Sequence, residues 1–126
     1  MFEQDYIMRL IKEMVRAILK LLFNVDAPAP TADLFENERA METAEGLIQK
    51  ARVGDINEAE NELFDLAETR TMDNLLIGLS FYSYLNEMDN DFLVANNFSR
   101  EEVREGLKSL VAVYGLGNMA EIFFCD

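Results

Sequence analysis

The chain has 126 residues, half of them apolar, with one cysteine, no histidine, and 24 acidic against 11 basic side chains. That length fits one domain with a real core. The lack of histidine removes imidazole-activated nucleophiles and histidine metal ligands, and the net charge of −13 makes nucleic acid an unfavourable partner. Only two prolines and six glycines interrupt a chain rich in Glu, Leu, Met and Ala, so the fold class is all-α. Cys125 has no second cysteine to pair with, which suits a reducing cytoplasmic compartment. Only Asp126 follows it, which is not a prenylation box.

The first helix is predicted over Asp5–Phe23. Its charges, Asp5, Arg9, Lys12, Glu13, Arg16 and Lys20, fall on one narrow stripe at 100° per residue. Apolar side chains cover a sector of about 220°, where about 100° is enough for a helix resting on a domain surface. Charge every three or four residues makes this neither a signal peptide nor a membrane span. "NVDAPAPTAD" follows; its prolines make residues 25–32 a linker. The single helical domain of residues 1–126 thus divides into an N-terminal helix (1–24), the linker, and a helical body (33–126).

Thr31 is the expected cap of a second helix over Asp33–Arg52, with Leu34, Met41, Ala44, Leu47, Ile48 and Ala51 inward. Gly54 suits a helix end, and Asp55 with Glu58 reads as a variant capping box opening a third helix over Ile56–Glu68. A short turn makes the two an antiparallel pair. Thr71 is expected to cap a fourth helix whose Leu75–Leu85 stretch is almost continuously apolar. Eleven residues cannot cross a bilayer, so this is the central core helix. "DNDFLVANNF" is rich in turns with room for a short helix. Ser99 with Glu102 is a capping box for a helix with Val103, Leu107, Leu110, Val111 and Tyr114 inward, ended by Gly115 and Gly117. Ile122, Phe123 and Phe124 are expected to dock on the body, giving a compact bundle of about five helices.

Several residue sets could carry chemistry. "GDINEA" at residues 54–59 resembles the loop of a tetratricopeptide-type hairpin, though the upstream aromatic of that repeat is absent and Gly46 is one place off. Glu42, Glu45, Glu62 and Asp65 resemble the magnesium pattern of the all-α nucleoside-triphosphate pyrophosphohydrolases of the MazG-like group. Carboxylates one turn apart on two helices can hold Mg²⁺ and a substrate's phosphates. In so acidic a chain the same residues also read as a solvated helix face. Asp89 and Asp91 do not open a calcium loop, because Val94 and Arg100 stand where the loop needs Gly and Glu. Phe81, Tyr82 and Tyr84 read as core aromatics.

The width of the first helix's apolar sector is enough for two packing surfaces, one on the body and one elsewhere. The simplest second partner is another copy of the same helix in a two-fold dimer, through Ile7, Leu10, Ile11, Met14, Ile18, Leu21 and Leu22. Full burial inside one chain is the competing arrangement. The basic stripe also allows a peripheral membrane adaptor. Residues 25–126 carry 7 basic and 21 acidic side chains, however, and that charge opposes an anionic lipid surface.

"MFEQDYIMRLIK", "INEAENELFDL" and "FYSYLNEMDNDFL…FSREEV" resemble a family of small bacterial proteins of unknown function, DUF6483. The resemblance implies a compact helical protein and no activity, cofactor or site residue. From the residues the expected function is a non-catalytic protein–protein interaction module, homo-oligomeric through the first helix and able to engage an unidentified protein partner. The alternatives are the Mg²⁺-dependent pyrophosphohydrolase and the membrane adaptor.

Overall fold

The computed structural model describes residues 2–124, and the side chains of residues 4–122. It contains α1 (Phe2–Phe23), a 3₁₀ turn (Ala32–Leu34), α2 (Glu38–Arg52), α3 (Ile56–Ala67), α4 (Met72–Asn86), α5 (Asn90–Ala95), α6 (Arg100–Val113) and α7 (Gly117–Phe124). The all-α reading holds, with no strand among the described residues. Among the described residues no helix is long and apolar enough to cross a membrane.

The centre of the bundle is α4, packed against α1, α2, α3 and α6. Leu75, Leu76, Ile77, Leu79, Phe81, Tyr82 and Leu85 are all buried. A helix apolar over most of its surface offers little face to solvent, so the other helices must wrap it. Fully burying each such side chain is worth about 1.5–3 kcal/mol. Gly78 leaves room for Leu110 of α6 to pack on α4: a Cβ there would lie 2.4 Å from Leu110 Cδ2.

Local capping chemistry explains several helix ends. Thr71 Oγ1 accepts from the Asn74 N–H at 3.0 Å, and Ser99 Oγ accepts from the Glu102 N–H at 3.1 Å; both caps were expected. Gly54, at φ +99°, ends α2 in a Schellman turn, with Asp55 N–H donating to Lys50 C=O at 2.9 Å and Gly54 N–H to Ala51 C=O at 3.0 Å.

One expected helix start and one expected cap are corrected. The second helix begins at Glu38, five residues later than Asp33. Thr31 caps nothing with its side chain. The cap is Asn37, whose Oδ1 accepts from the Ala40 N–H at 2.7 Å. Asp73 fixes that cap from across the fold, accepting from the Glu36 N–H at 3.1 Å and from Asn37 Nδ2 at 2.8 Å. Asp55 precedes α3 as expected but makes no side-chain cap bond. At the other end, α7 docks on α6 and α1 through buried Ala120, while Ile122 is 79 % exposed instead of docked. Phe123 and Phe124 side chains and Cys125 lie outside the described residues.

Candidate functional site

The residues expected to form a dimer surface divide in two. Ile7, Ile11, Met14 and Ile18 are buried in the chain's own core, as are Val15 and Leu19. They are covered by α4, α6 and α7, the helices packed on α1. Leu10 is half-buried, while Leu21 is 63 % and Leu22 37 % exposed; Tyr6 adds 56 %. Tyr6, Leu10, Ala17 and Leu21 recur at helical spacing and form one narrow outer stripe. The wide sector therefore resolves into a broad inner face and this outer edge.

The four carboxylates of the magnesium reading do not converge. Glu62 pairs with Lys50 beside Asp65 in the groove between α2 and α3. Glu45 lines a different cavity, against α4. Glu42 is exposed. Among the described residues no three carboxylate or cysteine side chains are grouped as a metal needs. Lys50, reaching over from α2, pairs with Glu58 and Glu62 of α3.

The aromatic cluster is structural. Phe81 and Tyr82 are buried and meet edge to face, with centroids 5.3 Å apart. Tyr84 sits at the rim, with the Arg52 guanidinium 5.8 Å from its ring centroid. Tyr82 Oη donates to Glu60 Oε2 at 2.6 Å, and a Cβ on Gly106 would come within 2.3 Å of that hydroxyl. Glycine on α6 thus makes room for a polar contact between α3 and α4.

Glu60 is half-buried. Burial pushes its carboxyl above the ordinary value near 4.5, while the Tyr82 hydrogen bond pulls it down and Glu102 adds to the rise. An acid whose folded pKa is raised stabilises the fold fully below its unfolded pKa. That contribution is lost as pH rises through the folded value. Glu60→Gln keeps an acceptor for Tyr82 and removes the charge. In urea unfolding, the stability of Glu60→Gln relative to the parent is expected to rise between pH 4 and pH 7. A difference constant with pH would contradict this assignment.

Sequence reasoning missed a polar face on α4. Ser80, Ser83 and Glu87 follow one another at three and four residues and turn toward the linker. There, Ala29, Pro30 and Phe35 close a cavity of about 360 Å³ over Met41 and Ile48 of α2. A second cavity of about 290 Å³ lies between α1 and the linker, bounded by Ile11, Val15 and Pro28. The two share Ala29, Ser83 and Glu87. Polar side chains at three- and four-residue spacing inside an otherwise apolar stretch were the available signal.

The family model described as "Family of unknown function (DUF6483)" matches residues 1–115, and the chain belongs to that family. No curated protein and no solved structure matches it.

Proposed function

We propose that the protein is a non-catalytic interaction module that pairs with a second copy of itself along the outer edge of α1. The observation that carries this reading is the stripe of Tyr6, Leu10, Ala17 and Leu21, with Tyr6 and Leu21 more than half exposed on a helix whose inner face is already filled. A two-fold antiparallel pairing uses this edge economically. It sets Tyr6 against Leu21 and Leu10 against the small Ala17 of the other copy. The acidic remainder of the chain stays in solvent, where like charge disfavours less specific association.

The reading places the protein in the cytoplasm and treats the α2–α3 hairpin as a tetratricopeptide-like scaffold element. Ala44, Ala51 and Ala59 are buried in it, which allows close helix approach.

Ala17→Glu tests the pairing without touching the core. It puts a carboxylate opposite Leu10 at the middle of the stripe, and the half-buried position tolerates a longer side chain directed outward. Sedimentation velocity is expected to show the parent as a dimer and the variant as a single chain, with unchanged helical circular dichroism. Equal sedimentation of the two proteins would remove the support for this edge.

A further inference from the structure

The paired cavities beneath the linker carry an inference independent of the dimer. We propose that they form a binding site for a small amphiphilic amine, with an apolar body and a primary ammonium head.

Two buried polar groups there lack hydrogen-bond partners. Asn86 is 1 % exposed and lines the second cavity. Its Nδ2 donates to Met8 C=O at 3.0 Å, which fixes the amide orientation: turning it over would set two oxygens against each other. Asn86 Oδ1 is left with no hydrogen-bond partner, and so is the buried Oγ of Ser83, three residues earlier on α4. A buried acceptor without a donor is costly, and native folds rarely tolerate one without a reason.

The charged groups point the same way. Glu45 borders the larger cavity and Glu87 borders both. The one cation among these lining residues is Lys12, held by Glu87 at 3.2 Å in an exposed ion pair that exchanges at little cost. Two carboxylates and an orphaned amide oxygen ask for a ligand that donates hydrogen bonds and carries positive charge, and the Ser83 hydroxyl accommodates either sense. Pro30, Phe35, Met41 and Ile48 ask for an apolar body next to it. A carboxylate or phosphate ligand would meet Glu45 and Glu87 as like charges. Recognition of this kind, apolar walls with a few convergent polar groups, is the usual composition of a small-molecule site.

The test titrates the intact chain with 4-phenylbutylamine, 4-phenylbutanol and 4-phenylbutyrate, which share one apolar body and differ in the head group. Calorimetry is expected to rank them amine, alcohol, acid, with at least about tenfold between the first two. The amine should raise the melting temperature. Glu45→Gln with Glu87→Gln changes two exposed side chains, and it should reduce the amine to the alcohol's affinity. Ala29→Trp, in the loop that roofs both cavities, should abolish amine binding. An amine no tighter than the alcohol would overturn the proposal. So would an amine affinity unaffected by both sets of substitutions, since adsorption to the acidic surface would then explain the binding.

Discussion

Replacing Arg100 with Met is expected to cost about 3 kcal/mol or more in chemical denaturation. Arg100 is the first residue of α6, yet it is 3 % exposed. Its Nη1 donates to Asn86 C=O at 2.7 Å and to Leu85 C=O at 3.3 Å. Its Nη2 donates to Met88 C=O at 2.6 Å and to Asn90 Oδ1 at 2.8 Å. The guanidinium therefore closes the carboxyl end of α4, where carbonyls lack helical partners and the helix dipole favours a cation. Burial lowers the pKa of Arg100, and nearby Glu87, Asp89, Glu101 and Asp5 oppose that shift. The group stays charged, because nothing in a protein deprotonates a guanidinium at neutral pH. Methionine fills much of the space but leaves the carbonyls at the α4–α5 corner without donors. Each such loss costs about 1–3 kcal/mol, reduced where water can enter. Lysine restores the charge but not the planar fork that reaches several carbonyls at once. Arg100→Lys should thus recover less than half of the loss. A stability change within experimental error for Arg100→Met would show that the corner is held by packing alone.

Truncating Ile18 to Ala is expected to destabilise the protein by about 2–5 kcal/mol, with Ile11→Ala close behind. Both isoleucines are fully buried on the inner face of α1, which packs on α4 and α6. The deletion removes apolar transfer free energy and leaves a space the close-packed helices can only partly close. Exchanging Ile11, Met14 and Ile18 together for polar residues should therefore unfold the chain, because three core positions would hold groups without partners. Urea unfolding followed by circular dichroism separates this from dissociation. A triple variant that retains the parent's midpoint as a single folded chain would place these side chains at a subunit interface instead.

That distinction marks where the sequence was informative and where it stopped. Periodicity gave the width of the apolar sector on α1, but not which neighbours cover it. Whether Ile11 or Leu21 faces the body depends on where α4, α6 and α7 lie, and no local pattern contains that. The caps at Thr71 and Ser99 and the turn at Gly54 were legible because each rests on bonds within a few residues. Asn37 was not, because its orientation is fixed by Asp73, 36 positions along the chain. Arg100 follows the same logic: next to Ser99 it reads as an ordinary exposed first-turn residue, while its role lies at the end of another helix. The magnesium pattern failed for a related reason. Spacing places carboxylates on a helix face, but the rotation of α2 sends Glu45 toward α4 and leaves Lys50 beside Glu62. Ser83 and Asn86 were visible as polar residues in a core helix. Their meaning depends on the linker that folds over one and the α1 backbone that binds the other.

The exposed edge of α1 is the point on which the functional reading turns. Light scattering of the intact chain across a dilution series measures it directly. The antiparallel pairing predicts twice the chain mass at high concentration, falling toward the single-chain mass on dilution. A folded protein holding the single-chain mass at every concentration would contradict it.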